Sequence, residues 1–185
     1  VINETLNEAD NKMGKSVEAT REEFAAIRAG RANPAMFAKI VAEYYGTPTP
    51  IQQLASFASQ DARTIIVTPY DMGALDNIEK AIRESDLGVN PSNDGKSIRC
   101  AFPELTEERR KEYIKVAKTK AEDGKVSIRN IRRNAKQDLE KLEKDGEAGK
   151  DDVNGAEKRL DGLTKKHTDE IDDLLKKKEA ELLEV

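Results

Sequence analysis

The chain has 185 residues, of which 37% are charged, 37% hydrophobic and 4% aromatic, with no Trp and a net charge of −4. That is too little apolar material for one compact globule of this length, but enough for long helices that each bury a single stripe. No run approaches a membrane span, no basic-then-apolar opening marks a secretory signal, and the net charge argues against uniform nucleic-acid binding. One cysteine, Cys100, and one histidine, His167, exclude an intrachain disulfide framework, a cysteine zinc site and a His-rich metal centre. We expect a cytoplasmic protein with no metal and no cofactor.

From the N-terminus, Ile2, Leu6, Ala9, Met13, Val17, Thr20, Phe24 and Ile27 recur at helical spacing and predict one long amphipathic helix. Gly30 is a suitable C′ residue to end it, with Asn33-Pro34 just beyond. All six prolines and six of the eight aromatics then lie between 34 and 103. Because proline breaks helix interiors, this stretch is not helical throughout. Residues 39–45 read as a strand that ends at Gly46 and a Thr47-Pro48-Thr49-Pro50 break. Ile51 to Ser59 reads as a weaker strand and Arg63 to Thr68 as a clear one. Asp71 is placed to cap a helix through Leu75, Ile78, Ala81 and Ile82 that ends near Gly88. Residues 88–95 read as a turn-rich loop, and Ile98 to Phe102 as a last strand.

Beyond Pro103, Thr106 opens a helix to about residue 144, with Ile114, Ala117, Ala121, Ile128, Ile131, Ala135, Leu139 and Leu142 on its apolar face. After a break at 145–149, a further helix carries Val153, Ala156, Leu160, Leu163, His167, Ile171, Leu174 and Leu182. Short connections make these helices antiparallel neighbours, and the N-terminal helix covers their seam. The expected fold is α+β: an elongated three-helix bundle, residues 1–30 and 104–185, interrupted by a small α/β domain of β/α/β sandwich type, residues 31–103. Gly124, Gly155 and Gly162 each weaken their helices by about 1 kcal/mol relative to alanine, with no evident function.

Residues 105–136 carry 11 basic and 5 acidic side chains. At about 100° per residue, Lys111, Lys115, Lys118, Lys125, Arg129, Arg132, Arg133 and Lys136 fall in a sector of about 100°, interrupted only by Glu122 and Ile114. Concentrating like charge costs helix stability, and an anionic partner offsets that cost. Arg28 and Arg31 are placed to extend the same surface. With no aromatic in the stripe, backbone and shape recognition of RNA fits better than base stacking. The competing reading is a solvated helix face.

Other signals fail. Asp94-Gly95-Lys96-Ser97 resembles the end of a phosphate-binding loop, but Asn90 stands where glycine is needed and a strand follows. His167 lies on a bundle seam and reads as a core residue. Cys100 lies in a strand and reads as a structural thiol. No carboxylate pair is recognisable, so no catalytic residue is assigned and no enzyme is expected. Tyr44 and Tyr45 read as sheet packing and surface.

Several phrases together resemble the ribosome recycling factor family. They are Ile27-Arg28-Ala29-Gly30-Arg31-Ala32-Asn33-Pro34, Tyr44-Tyr45-Gly46-Thr47-Pro48-Thr49-Pro50-Ile51, Ser85-Asp86-Leu87-Gly88-Val89-Asn90-Pro91, Leu105-Thr106-Glu107-Glu108-Arg109-Arg110-Lys111 and Val126-Ser127-Ile128-Arg129-Asn130-Ile131-Arg132-Arg133. They occur in order through nearly the whole chain. The resemblance implies an L-shaped molecule that binds the post-termination ribosome. With elongation factor G, which uses the GTP, it would split the subunits and release messenger RNA and deacylated tRNA.

The implied partners are large-subunit ribosomal RNA and that translocase; the chain itself is expected to be a monomer. By the same resemblance, Arg129 and Arg132 match RNA-contacting arginines of the long helix, with Arg133 beside them, and Arg28, Arg31 and Arg110 match basic residues near the bundle end; all are expected to bind RNA. The stripe adds Lys111, Lys118, Lys125 and Lys136. The hinge corresponds to Gly30, Arg31, Ala32 and Asn33 on one crossing and Phe102, Pro103, Glu104 and Leu105 on the other. The alternative is a helical scaffold or adaptor that binds proteins through its bundle. Val1 stands where an initiator methionine is expected.

Overall fold

The computed structural model describes residues 1–184, so the expected end of the bundle at 185 lies outside them. In chain order the regular elements are α1 (Ile2–Ala25), β1 (Val41–Tyr44), β2 (Thr47–Pro50), β3 (Ala55–Asp61), β4 (Thr64–Pro69), α2 (Leu75–Arg83), β5 (Asn90–Asn93), β6 (Ile98–Ala101), α3 (Glu107–Lys144) and α4 (Lys150–Leu183). The chain divides into two compact units. The first holds Val1–Phe24 and Lys115–Ala180; the second holds Ala25–Ile114 and the tail from Glu181.

In the first unit, the buried positions of α1 are Leu6, Ala9, Met13, Val17, Thr20 and Phe24, at the spacing the sequence shows. Ala117, Ala121, Gly124, Ile128, Ala135 and Leu139 are buried on α3, and Val153, Ala156, Leu160, His167 and Ile171 on α4. Most of these α3 side chains are small, which lets helices approach closely. Gly124 is the tightest point: a Cβ built there would overlap Thr20 Oγ1 of α1 and stand 2.9 Å from Ile171 Cδ1 of α4. Its cost in helix propensity is therefore tied to a three-helix contact, which overturns the reading of Gly124 as a purely weakening residue. Gly155 and Gly162 face open space. Replacing either by alanine should stabilise the chain by up to about 1 kcal/mol, read as a shifted urea midpoint with an unchanged slope.

The second unit contains an antiparallel ribbon, β1-β2, and an antiparallel four-stranded sheet in the order β3-β4-β6-β5. Helix α2 packs against both β1 and β5. Between them lies a core in which Phe37, Ile51, Ile65, Val67, Ile78, Ile82, Ile98 and Cys100 are fully buried. Phe37 makes a tilted contact with Phe57 at 5.2 Å and an edge contact with Phe102 at 5.9 Å. The mixed architecture of helical bundle and small sheet domain is the fold class expected above.

Four local expectations are corrected. Helix α1 stops at Ala25, not Gly30, and Gly30 does not take the left-handed conformation of a C′ glycine. Tertiary contacts override helix continuation there, because Arg28 turns in to donate to the Pro103 carbonyl. The Thr47–Pro50 stretch is strand β2, not a break. Tyr45 and Gly46 (φ 49° and 79°) form a two-residue loop pairing Tyr44 with Thr47. Hydrogen-bonded pairs alternate along the ribbon, so Pro48 and Pro50 occupy positions whose missing N–H is not needed. The segment from Ile51 begins as a 3-10 turn, Ile51–Gln53, and extends only from Ala55. The supposed loop at 88–95 contains β5, whose Pro91 lies on a sheet edge where a ladder donor is dispensable.

Candidate nucleic-acid interface

On the first unit, α3 carries Lys115, Lys118, Lys125, Arg129, Arg132, Arg133 and Lys136. All are exposed except Lys125 and Arg132, which are partly covered. Three reach acids. Arg129 Nη1 lies 3.0 Å from Glu122 Oε1 on the same helix, Arg132 Nε donates to Asp161 Oδ1 of α4 at 2.8 Å, and Lys125 pairs with Asp172 of α4. The first two pairs are well exposed, at 50% and 60% for Arg129 and Glu122 and 40% and 61% for Arg132 and Asp161. Such pairs contribute about 0–1 kcal/mol and exchange readily for another anion. Lys125 retains only 20% exposure and is held more firmly. Lys118, Arg133 and Lys136 make no ion pair among the described residues. A cationic face thus survives internal pairing.

The remaining predicted cations lie in the second unit. Lys111 is exposed and weakly paired with Glu107 at 3.6 Å. Arg31 is exposed and Arg110 partly covered. Arg28 does not belong to any exposed surface: it is 5% exposed, with its guanidinium 5.5 Å from the Phe102 ring centroid and bonded to the Pro103 carbonyl. Burial lowers its pKa, Tyr113 opposes that shift and Arg63 adds to it. Arg28 therefore ties residues near 28 to those near 103.

The two segments expected as the hinge lie inside the second unit and are both bonded to one turn. The Ala32 N–H donates to the Ala62 carbonyl at 2.8 Å, and the Phe102 N–H to the Arg63 carbonyl at 2.7 Å. Residues 62 and 63 form the β3–β4 turn, which is itself closed by Arg63 N–H donating to Asp61 Oδ1. On the first crossing, Asn33 Oδ1 accepts from the Ala35 N–H at 2.9 Å and fixes the turn that follows. Gly30, Arg31, Glu104 and Leu105 line a groove of about 360 Å³ with Ala62, Arg63, Arg110 and Glu184. The sequence places Arg63 at the start of a strand and gives it no binding role, because a single arginine in the turn between β3 and β4 belongs to no periodic cationic pattern.

The rejected signals have structural explanations. Asp94 accepts from the Lys96 and Ser97 N–H groups, both at 2.9 Å, so its carboxylate fills the turn that resembled a phosphate loop. These bonds hold the carboxyl below its usual range. His167 is buried with Nε2 2.6 Å from Asp10 Oδ1; Glu170 stands 3.2 Å from Nδ1 without hydrogen-bond alignment. Cys100 is buried, and desolvation, with a smaller contribution from Glu79, pushes its thiol up to about 12. It should not react with a thiol reagent at about pH 8 until the chain is unfolded, when absorbance reports one thiol. Among the described residues no group of His, Cys, Asp and Glu is arranged to hold a metal, and no helix is long and apolar enough to cross a membrane.

The phenols of Tyr44 and Tyr45 both donate to Asp71 Oδ2, at 2.9 and 3.0 Å. The Gly73 N–H and these phenols hold the Asp71 carboxyl low, and the same bonds raise both phenols.

The family model for ribosome recycling factor matches residues 20–183. The chain belongs to the ribosome recycling factor family. It is 74% identical to the ribosome-recycling factor of a Nocardioides strain and 65% identical to that of Streptomyces coelicolor, in each case over the full length of both chains. A solution structure of a ribosome recycling factor matches it with a TM-score of 0.77 at 38% identity, covering 100% of this chain and 98% of that one. A second match, at a TM-score of 0.68 and 42% identity with full coverage of both chains, is a chain from models of the T. thermophilus ribosome recycling factor and the E. coli elongation factor G bound to the E. coli post-termination complex.

Proposed function

We propose that this chain binds the post-termination ribosome and, with elongation factor G, separates the subunits so that messenger RNA and deacylated tRNA are released. The observation that carries this reading is family membership, with a relative 74% identical over the full length of both chains. The exposed, exchangeable cations of α3 supply a physical basis for it. Arg129, Arg132, Arg133, Lys118 and Lys136 take phosphates of large-subunit RNA, and each contact releases counterions. Lys125 supports the same face from its pair with Asp172. Arg31, Arg110 and Lys111 contribute from the second unit, while Arg28 positions the crossings rather than touching RNA.

The chain acts as a cytoplasmic monomer, makes and breaks no bond, and leaves GTP hydrolysis to its partner. The working boundary lies at residues 30–33 and 102–105, dividing a bundle of 1–30 and 104–185 from a domain of 31–103. Two parallel backbone crossings give such a hinge a preferred axis rather than free tethering.

Light scattering of post-termination ribosomes tests the reading. Subunit splitting should require this chain, elongation factor G and GTP together. If the folded chain neither splits ribosomes nor binds the large subunit, and instead binds proteins insensitively to salt, it is a scaffold and the proposal is wrong.

A further inference from the structure

We propose that Arg63, on the β3–β4 turn, joins Arg31 and Arg110 in a groove that holds a phosphodiester of ribosomal RNA. The source of the phosphate rests on the recycling reading; the groove itself rests on the geometry below.

The three arginines line one open volume of about 360 Å³. None of them makes an ion pair among the described residues. Glu104 and Glu184 also line the groove, with no ion pair to them among the described residues, and the charge of Arg63 acts on buried Arg28. Asp61, which interacts with Arg63, is a third carboxylate here, and four guanidiniums against three carboxylates still leave an excess of positive charge around the groove. The buried Nε groups of Arg28 and Arg110 have no hydrogen-bond acceptor among the described residues. Like charges gathered this way oppose folding unless a partner compensates, and folding alone is better served by dispersing them.

Guanidinium forks match phosphate oxygens in paired, charge-assisted bonds, better than a point charge does. The groove exceeds the space of a bare phosphate and falls in the range of sites that take nucleotide-sized ligands. A sugar–phosphate segment fills it where an inorganic ion does not. Arg63 is well suited to the role because its main chain is fixed at both sides. Its N–H donates to Asp61 and its carbonyl accepts from Phe102, while the side chain is exposed and makes no hydrogen bond or ion pair among the described residues. A phosphate held by Arg63 and Arg31 would also bridge the turn to a crossing segment.

The test uses the full chain carrying Arg63→Gln, with isolated bacterial large ribosomal subunits as the probe and affinity measured against potassium chloride concentration. The variant should bind about tenfold more weakly, as expected for one charge-assisted contact. The slope of log affinity against log salt should shrink by about 0.7–0.9, the share of one phosphate. Arg63→Lys should restore the slope but not the full affinity, because lysine keeps the charge and loses the fork. Circular dichroism should be unchanged, since the substitution leaves both main-chain bonds intact.

Unchanged affinity and slope in Arg63→Gln, beside weakened binding by Arg129→Gln/Arg132→Gln, overturn the groove and leave the recycling reading standing. Failure of the unsubstituted chain to bind large subunits overturns both. Saturable, Arg63-dependent binding of inorganic phosphate with unaltered subunit affinity assigns the groove to a free anion instead. Lost splitting with unaltered subunit affinity assigns it to a protein; either result rejects the RNA assignment.

Discussion

Replacing Gly124 by valine should destabilise the chain by about 3 kcal/mol, the upper part of the usual range for overfilling a packed core. For a chain of this size that lowers the melting temperature by about 6–12 °C. The position has no spare volume: a single added carbon already overlaps Thr20 Oγ1 and crowds Ile171 Cδ1. Thr20 cannot turn aside freely, because its hydroxyl donates to the Ser16 carbonyl at 2.9 Å, and Ile171 is fully buried. Alanine should cost less, about 1 kcal/mol net, because its better helix propensity offsets part of the crowding. Adding Thr20→Ala to Gly124→Ala should recover about 1 kcal/mol relative to the sum of the single changes. Urea titrations of the four chains followed by circular dichroism measure this. Additive free energies would show that Thr20 does not limit the space at Gly124.

Reversing charge at both positions, in the double variant Arg129→Glu/Arg132→Glu, should weaken binding to large subunits by more than about 100-fold while changing helicity little. Each arginine lost from a phosphate removes a charge-assisted bond of about 1.5–3 kcal/mol, and the introduced carboxylates add repulsion. The folded chain loses little, because both arginines occupy exposed pairs that contribute at most about 1 kcal/mol each. The complementary variant, Glu122→Arg/Asp161→Arg, removes the internal competitors of Arg129 and Arg132. It should bind at least as tightly as the unsubstituted chain. Retained binding by the Arg129→Glu/Arg132→Glu variant would remove these arginines from the mechanism.

The seams of the long helices were readable because one turn of spacing decides burial: Leu6 to Phe24 on α1 and Ala117 to Leu139 on α3 are buried as their period requires. The clustering of cations on α3 followed from the same periodicity. Its partial neutralisation did not, because Asp161 and Asp172 belong to a different helix and sequence spacing carries no information about them. Strands β2 and β5 were missed because proline argues against a ladder in general, while ribbon and edge positions tolerate it. Arg28 looked like a surface cation because arginine usually is one; only the Pro103 carbonyl and the Phe102 ring make its burial intelligible. The inward-facing Gly124 was read as a flaw because local propensity records the cost of a glycine and not the neighbour it admits.

The fastening of both crossings to the β3–β4 turn has a consequence for how they exchange with solvent. A connecting segment normally leaves its amides open to water. Here the Ala32 and Phe102 amide protons point into carbonyls of the turn that joins the two longest strands of the sheet. Their deuterium uptake should be governed by opening of that hairpin, while neighbouring amides of the crossings take up deuterium early. Two slow protons, seventy residues apart in the chain, thus report on the same local opening.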